Sequence, residues 1–316
     1  MTADARVVVT GGAGFIGVHT VEALLAGGCS VLVIDDLSHA SDRSLPPECT
    51  LDVGDVRSAE ARDALVAFKP AALVHLAAQG GVNRSWRDPA MDSRINVQGT
   101  VSMLEAARLS GCPRVVIASS GGALYGASRT LPTPEDTPAQ PRSPYGTAKW
   151  VAEQYLAYYA RCGAFASVAL RYGNVYGPGQ DGTGEAGVVA ITCTRLAHGE
   201  EPVVRGDGEQ TRDFVSVIDV ARANAVAVQA AATGAINIGT GRETSVNAVV
   251  ARLCRAAGYT GAVLRAEMPS GEVRRSRLDV ARAAASMHWS AEVELEQGLA
   301  ETYEHIARGM RDATRS

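Results

Sequence analysis

Tyr145 and Lys149 lie four residues apart and together form a candidate acid/base pair. Residues four apart on an α-helix project from the same face, so both side chains would reach one site. The pKa of a free tyrosine is near ~10, and a neighbouring ammonium lowers it by roughly 1–3 units because it favours the phenolate. We therefore predict that Tyr145 exchanges a proton with a substrate hydroxyl and that Lys149 activates it. A lysine here is suggestive, because the only other lysine is Lys69 in a chain that otherwise carries arginine. A chance surface pair is the alternative, and the glycine-rich turn upstream disfavours it.

A glycine-rich turn near the amino terminus, which reads TGGAGFIG, is the second chemical feature. Gly11 permits a tight turn, Gly14 lets the backbone approach a pyrophosphate, and Gly17 lets a helix pack closely on a strand. The helix start at Phe15 and Ile16 would offer unpaired N–H groups and a positive dipole end to the phosphates. Glycines also mark ordinary turns, but this set lies between an apolar run and a helical pattern, which predicts a dinucleotide site.

Acidic residues follow the next two apolar runs. Asp35 lies about twenty residues beyond the glycines, where a carboxylate binds the adenosine ribose hydroxyls and repels a 2′-phosphate. The sequence therefore predicts NAD rather than NADP, with Asp35 and Asp36 at the cofactor. Capping of a turn is the alternative for both. Asp55 and Val56 are placed beside the adenine.

Continuous apolar runs alternate with helical patterns over the first half of the chain. This alternation predicts an α/β fold with a doubly wound, Rossmann-like parallel sheet, buried on both faces and joined by right-handed crossovers. The predicted strands cover 6–9, 30–34, 50–53, 71–75, 114–118 and 166–170. The predicted helices cover 15–25, 59–68, 92–109 and 144–162.

After residue 170 the chain becomes rich in glycine, proline and polar residues, and then mixes helices with short strands. We predict a smaller mixed α/β C-terminal lobe that binds the substrate. The dinucleotide domain is expected over 1–172, with 212–241 returning to its sheet, and the lobe over 173–211 and 242–316. The helices of this half are predicted over 188–197, 217–231, 246–257 and 295–310.

The composition excludes several classes of protein. The 316 residues are 46% hydrophobic and carry a net charge of −4, so no basic field attracts nucleic acid. We find no apolar run of about 18 residues that would span a membrane and no export signal, so a cytoplasmic location is expected. The six cysteines are far apart, without metal-ligand spacing, and are interpreted as reduced packing residues.

With these features in place, the sequence resembles the extended short-chain dehydrogenase/reductase family, especially its nucleotide-sugar 4-epimerases of the UDP-glucose/UDP-galactose type. The resemblance covers almost the whole chain. It is carried by 10–17, Asp35, 55–56, 75–79, Asn96, 119–120, Tyr145 with Lys149, 171–177 and 206–215.

The resemblance implies an activity and further site residues. A tightly held NAD would oxidise the sugar transiently at C4, and hydride would return to the opposite face. It also implies a UDP-sugar substrate and a homodimer formed through a bundle that includes the helix over 144–162. The residues implied at the cofactor are Leu76, Ala77, Ala78 and Asn96. Those implied at the nucleotide sugar are Asn174 and Arg212 at the diphosphate, with Gly187 and Val188 against the uracil.

One departure from the family pattern concerns the hydroxyl partner of the tyrosine. The family carries Ser or Thr where this chain has Gly121. Ser120 is the first candidate to replace it and Ser119 the second; a tyrosine acting alone or a water are further alternatives. Because Gly121 and Gly122 also stand where dehydrating and decarboxylating relatives carry acids, neither elimination nor decarboxylation is expected.

A second departure lies in the C-terminal lobe, where 268–272 lacks the arginine that relatives place near the diphosphate. Arg274 or Arg265 is a candidate replacement. Arg277 falls where relatives gate the size of the sugar pocket. There it would disfavour a bulky N-acetyl group, pair with an acidic sugar, point at the diphosphate, or lie in solvent.

Other functions remain open at this point. A keto-sugar reductase or dehydrogenase of the same fold would release NADH, and a UDP-glucuronate 4-epimerase would act on an acidic sugar. A non-catalytic NAD sensor would have no need of Tyr145 with Lys149. The sugar and the nucleotide are both left undetermined by the residues.

Overall fold

The structure is a computed structural model that describes residues 4–128, 130–182, 187–268 and 273–313. The strands in chain order are β1 (Arg6–Thr10), β2 (Ser30–Asp35), β3 (Thr50–Val53), β4 (Ala72–His75), β5 (Arg114–Ser120), β6 (Ala166–Tyr172), β7 (Asn174–Tyr176), β8 (Val203–Arg205), β9 (Thr211–Arg212), β10 (Phe214–Ser216), β11 (Gly234–Ile238), β12 (Thr244–Ser245) and β13 (Leu264–Ala266).

The helices surround these strands. They are α1 (Phe15–Ala26), α2 (Ala59–Phe68), α3 (Val82–Arg87), α4 (Pro89–Ser93), α5 (Gly99–Ser110), α6 (Gly121–Leu124), α7 (Pro144–Arg161), α8 (Val188–Ala197), α9 (Val217–Gln229), α10 (Val246–Ala256), α11 (Ala281–Met287) and α12 (Leu295–Ala313). Among the residues that the structure describes, none of the helices combines the length and apolar character that crossing a bilayer requires.

Seven parallel strands form the main sheet in the order β3–β2–β1–β4–β5–β6–β11. Its central strands are buried on both faces, as the run Val7, Val8 and Val9 illustrates, since each of the three is 0% exposed. Helices α1 and α9 cover one face, and α2, α5 and α7 cover the other. The predicted doubly wound parallel sheet is confirmed, because strands buried on both faces need apolar residues at every position.

The strand order reverses beside β1, because the chain runs from β1 outward to β3 and then returns to place β4 on the other side of β1. Thr10 and His75, the last residues of β1 and β4, are paired in the register. Ligands of open α/β sheets bind in the crevice at such a reversal, beyond the carboxyl ends of the strands. The fold therefore gathers the glycine-rich turn and the loop after β4 at one place.

The second half of the chain builds a smaller unit with its own core, in which α8, α10 and α12 pack together. Its buried side chains include Cys193, Phe214, Leu253 and Leu299. Within 212–241, α9 packs on α1 and β11 extends the main sheet beside β6, so these two elements lie with the first half of the chain, whereas Phe214 belongs to the smaller core. The three small two-stranded sheets join β7 with β10, β9 with β12, and β8 with β13.

The helix predicted over 92–109 differs in the structure. It is divided into α4, a π-helical turn over Arg94–Gln98, and α5. A π-helical turn often marks a functional site, and this one carries the buried Asn96. The short helices α3, α6 and α11 were absent from the sequence prediction, because segments of four to seven residues give no readable helical periodicity.

Candidate active site

The glycine-rich turn between β1 and α1 has the geometry that a pyrophosphate needs. Gly11 has φ +69°, and a Cβ there would lie 2.6 Å from the backbone nitrogen of Ala77. A Cβ at Gly17 would lie 2.1 Å from the carbonyl oxygen of Gly11, so helix and turn can approach only because both residues are glycine. At Gly14 the nearest atom to such a Cβ is 3.4 Å away, and the α1 amino terminus stays open beside it. Phe15 and Ile16 begin α1 as predicted and are half-buried.

Asp35 and Asp36 lie at the end of β2 and differ in their surroundings. Asp35 is buried, and its carboxylate accepts the backbone N–H of Ala13 at 2.9 Å and of Leu37 at 2.8 Å. It therefore ties the glycine-rich turn to β2 and also caps the turn at Leu37, while its contact with the adenosine ribose stays a prediction. Asp36 is exposed and accepts the backbone N–H and hydroxyl of Ser38 at 3.0 and 2.6 Å. Turn capping, the alternative for Asp36, is what its contacts show.

Asp55 and Val56 follow β3. The Asp55 carboxylate is paired with Arg57, whose Nε lies 2.8 Å from Oδ1, and this hydrogen bond lowers the pKa of Asp55. Val56 is buried against Gly99 at the start of α5. The Asp55–Arg57 pair is thus partly exposed whereas Val56 is buried, and their placement beside the adenine stays a prediction.

The loop after β4 passes beside the glycine-rich turn, as the contact of Gly11 with Leu76 and Ala77 shows; Ala78 follows them. A buried triad of side chains holds this loop. Asn96 accepts the backbone N–H of Gln79 at 2.9 Å and donates to its carbonyl at 3.0 Å. Asp92 Oδ1 accepts from Gln79 Nε2 at 2.8 Å and from Asn96 Nδ2 at 3.0 Å. Asn96 therefore shapes this loop through its hydrogen bonds, and we call residues 76–79 the cofactor loop after their predicted role.

The strand ends below this loop are joined by His75, which is buried and lies 2.7 Å from the Thr10 hydroxyl and 3.0 Å from that of Thr100. Burial, reinforced by the charge of Lys149, lowers the pKa of His75 to about 3. His75 is therefore neutral at physiological pH and fixes β1, β4 and α5 to one another.

Tyr145 and Lys149 lie on α7, whose start is set by local sequence. The Ser143 hydroxyl accepts the backbone N–H of Gly146 at 3.0 Å as an N-cap, and Pro144 takes the first helical position. The Lys149 ammonium is buried, lies 5.9 Å from the centre of the Tyr145 ring, and donates to the carbonyl of Ala118 at 3.1 Å. The structure thus brings the predicted pair together at the end of β5.

The pKa values of this pair differ from the sequence prediction. Burial, with a smaller contribution from the charge of Asp92, raises the pKa of Tyr145 to about 12, and a hydrogen bond with Ser120 opposes the rise. Burial lowers the pKa of Lys149 to about 8, opposed by the charges of Asp92 and Glu153. Activation of Tyr145 by Lys149 therefore stays a prediction, because in the chain alone burial dominates the pKa of the phenol.

The hydroxyl partner of Tyr145 is Ser120. This residue caps α6, where its Oγ accepts the backbone N–H of Ala123 at 3.2 Å, which leaves its proton free to be donated to the phenol oxygen. A side chain at position 121 would point away, since a Cβ on Gly121 would lie 2.7 Å from the side chain of Leu278. Ser119 was the second candidate for this role, but its hydroxyl instead donates to Glu153 Oε1 at 2.5 Å.

We expect Ser120→Ala to lower kcat about 10- to 100-fold with little change in substrate KM, because a hydrogen bond to a charged or partly charged oxygen contributes roughly 1.5–3 kcal/mol. Steady-state kinetics at several pH values checks this. The matched control is Ser119→Ala, which removes the hydrogen bond to Glu153. It should lower thermal stability and reduce kcat less than Ser120→Ala does. An unchanged kcat in Ser120→Ala would remove the residue from the mechanism.

Glu153 and Arg171 form a buried ion pair behind the site. Arg171 donates to the two carboxylate oxygens at 2.9 and 2.6 Å, and also to the Tyr125 hydroxyl at 2.8 Å. Tyr125 in turn donates to Asn237 Oδ1 at 2.7 Å. This network fixes β5, β6 and β11 to α7, and it places Glu153 one turn beyond Lys149 on the same face of the helix.

Among the predicted substrate residues, Asn174 lies near Ser120, with Gly122 between them. Asn174 Oδ1 would be 3.5 Å, and Ser120 Oγ 3.9 Å, from a Cβ placed on Gly122. The glycine therefore leaves room between the Asn174 amide and the catalytic hydroxyl. Gly187 caps α8, and Val188 begins it and packs against the core of the lobe.

Arginines gather at β9 and in the segment that follows residue 272. Arg212, half-buried on β9, donates to the Thr211 carbonyl at 2.7 Å. Arg277 is half-buried, and among the described residues its Nε has no hydrogen-bond partner although it is shielded from solvent. Solvent exposure, one alternative for Arg277, is thus wrong for this atom. Arg274 is exposed and paired with Asp207 at 2.7 and 2.8 Å, while Arg265 donates to the carbonyl of that residue at 3.0 Å.

Sequence reasoning missed Asp92, Gln79, Glu153 and Asp213. Glu153 was open to detection, because it continues the four-residue spacing of Tyr145 and Lys149. Asp213 is buried and accepts backbone N–H groups of Thr240, Gly241 and Leu278 at 2.7–3.2 Å. The bond to Leu278 holds the segment after residue 272 next to Asp213. Its partners are distant in sequence and gave no local signal. Those roles depend on tertiary contacts alone.

The described residues contain no cluster of side chains that could bind a metal ion. Across the described ranges, no three His, Cys, Asp or Glu side chains converge as ligands would. All six cysteines are free thiols, three of them buried.

The open helix start, the glycine turn, the buried Asp35 and the Tyr145–Lys149 pair define a dinucleotide-dependent enzyme of Rossmann-like fold that moves a proton and a hydride. The chain belongs to the NAD dependent epimerase/dehydratase family, whose model matches residues 7–239. It is 42% identical over 308 residues to a UDP-glucose 4-epimerase of Mycolicibacterium smegmatis, in a match that covers 95% of this chain and 97% of the relative.

Solved structures give the same relationship. A UDP-glucose 4-epimerase of Thermotoga maritima with UDP-glucose is 40% identical, with a TM-score of 0.94 over 96% of this chain and 99% of that one. A UDP-glucose 4-epimerase of Thermus thermophilus in complex with NAD is 39% identical, with a TM-score of 0.90 and the same coverage. The predicted family, the enzyme class with its 4-epimerase activity, and NAD as cofactor are confirmed.

Proposed function

We propose that this chain interconverts UDP-glucose and UDP-galactose by NAD-dependent 4-epimerisation. The observation that carries the proposal is the buried Tyr145–Lys149 pair with Ser120 at the carboxyl end of β5, facing the glycine-rich turn across the strand-order reversal. The relatives named as UDP-glucose 4-epimerases support the choice of substrate.

Tyr145, Ser120 and Lys149 each have a chemical role in this proposal. Bound NAD supplies the hydride acceptor and donor for C4 and, when oxidised, a positive charge in the site. Tyr145 accepts the proton of the sugar 4-hydroxyl and later returns it, and Ser120 shares that proton by hydrogen bonding. Lys149, which keeps further N–H donors beyond the one given to Ala118, binds the cofactor ribose and adds positive charge.

The residues around the site favour epimerisation over neighbouring chemistries. Elimination of water or carbon dioxide needs an acid near the reacting carbon, and α6 begins with Gly121 and Gly122, where no side chain can supply one. We assign Asn174 and Arg212 to the diphosphate, because a guanidinium forks onto phosphate oxygens. We assign Gly187 and Val188 to the uracil and Asp35 to the adenosine ribose.

A specific observation favours UDP-glucuronate as a second substrate. The Arg277 Nε is shielded from solvent without a hydrogen-bond partner among the described residues. Arg277 also precedes Leu278, which packs on Gly121 next to the catalytic serine. A buried, unpaired donor of a cation fits a carboxylate of the ligand better than a neutral hydroxymethyl group.

The test is incubation of the purified chain with UDP-glucose, UDP-galactose, UDP-N-acetylglucosamine and UDP-glucuronate, followed by NMR of each product for inversion at C4. We expect inversion of the first two without net formation of NADH. Net NADH release would identify a reductase or dehydrogenase, and the absence of inversion in every sugar would refute the epimerase assignment. Faster inversion of UDP-glucuronate would favour the second substrate.

We further propose a homodimer formed through α7. Its outward face carries Trp150, Tyr155 and Tyr158, which are 39–52% exposed. Aromatic side chains are enriched where one protein surface buries another. A four-helix bundle of α7 and a neighbouring helix from two copies would cover them.

A further inference from the structure

Asp92 is a buried carboxylate that the chemistry described so far does not use. Its side chain is on α4, and the residue is 1% exposed. In the described part of the chain both of its hydrogen-bond donors are neutral amides, Gln79 Nε2 at 2.8 Å and Asn96 Nδ2 at 3.0 Å, and both meet the same oxygen. Neutral donors alone compensate a buried negative charge poorly, so a cation is expected within electrostatic reach.

Lys149 is the cation on which the charge of Asp92 acts. Helix α4 packs on α7, and Asp92 lines the same cleft between these two helices as Ala148, the neighbour of Lys149. The other carboxylate near the ammonium is Glu153, but Arg171 compensates its charge with hydrogen bonds of 2.6 and 2.9 Å. Asp92 is therefore the carboxylate whose charge is left to act on Lys149.

We propose that Asp92 is a positioning residue of the active site: it fixes the cofactor loop through Gln79 and Asn96, and its negative charge keeps Lys149 cationic. The inference rests on the proposed function only in taking Tyr145 and Lys149 as the acid/base pair. Burial pulls Lys149 toward the neutral amine, and a neutral amine would no longer add the positive charge that a phenolate requires.

The direction of the effect follows from the groups that face the pair. Lys149 meets Asp92 from α4, Glu153 from α7 and the neutral His75 from β4. Tyr145 meets Asp92, Ser120 and the buried Tyr172 hydroxyl of β6. Asp92 raises the pKa of both Tyr145 and Lys149. Removing its charge should therefore lower both pKa values and move both limbs of the pH–rate profile to lower pH.

The experiment is Asp92→Asn, which keeps an oxygen for Gln79 and Asn96 and removes only the charge. Because Lys69 and Lys149 are the sole lysines, ¹³C-lysine labelling gives two side-chain signals whose titration NMR can follow. We expect the pKa of Lys149, about 8 in the unaltered chain, to fall by roughly one unit while Lys69 is unchanged. The matched control is Asp88→Asn, an exposed N-cap one turn earlier on the same helix, which should shift neither signal.

The two roles of Asp92 give different results. A purely structural residue would lower activity equally at all pH values and leave the Lys149 titration where it was, and that outcome would overturn the inference. If Asp92→Asn does not fold, Asp92→Glu keeps the charge and should retain the Lys149 titration; a fall as large as one unit there would also overturn it. The titration needs no sugar, so its result stands apart from that of the UDP-sugar panel.

Discussion

The Tyr145→Phe variant is expected to lose about 10³-fold in kcat while it folds normally and retains NAD, since positioned acid/base groups contribute typically 10²–10⁴-fold. Phenylalanine keeps the ring that packs beside Lys149 and removes only the oxygen that exchanges the proton. The loss of kcat is measured by NMR of UDP-galactose reactions stopped at successive times. Retention of NAD is measured as the NAD released when the protein is denatured. In the proposed function the glycine-rich turn and Asp35 hold the cofactor, and the change touches neither.

Tyr155→Phe is the matched control for this variant, because it makes the same chemical change on the exposed side of the same helix. It should leave kcat within about twofold of the unaltered chain, because the phenylalanine ring preserves the aromatic surface of the proposed dimer face and only an exposed hydroxyl is lost. A non-catalytic NAD sensor would show no difference between Tyr145→Phe and Tyr155→Phe. Activity of Tyr145→Phe within tenfold of the unaltered chain would require another proton acceptor in the site.

Features that depend on local sequence were predictable. The glycine set, the acid at the end of β2 and the four-residue spacing of Tyr145 and Lys149 each act within one turn, strand end or helix face, so their spacing carries the information. The parallel sheet was predictable for a similar reason, since strands buried on both faces are apolar throughout. The helix over Pro144–Arg161 was placed within one residue, because Ser143 and Pro144 form a standard helix start.

Features that depend on contacts between distant segments were not predictable. Whether Ser119 or Ser120 faces the phenol depends on α6, a helix of four residues, and on Leu278, which fills the space beside Gly121. The pKa of Tyr145 could not be inferred from its neighbour on the helix, because burial by other elements dominates it. Asp92 gave no signal in the sequence, since its partners are an amide from the β4 loop and one from the π-helical turn.

The Arg171→Met variant should lower the free energy of unfolding by about 3–5 kcal/mol, the largest stability effect that we expect from a single change. Both members of the ion pair are buried: Arg171 is 7% exposed and Glu153 is 6% exposed. Removing the guanidinium leaves the carboxylate without its cation, and it also removes the donor to the Tyr125 hydroxyl. Urea unfolding followed by fluorescence, at fixed NAD concentration, measures the loss.

The origin of that loss can be separated with a second substitution. Adding Glu153→Gln to Arg171→Met removes the unpaired charge, so the double variant should recover part of the stability and show strong coupling between the two sites. Arg108→Met is the matched control, because it breaks an exposed ion pair with Glu105 and should change stability little. If Arg171→Met were no less stable than Arg108→Met, the buried pair would not hold β6 to α7.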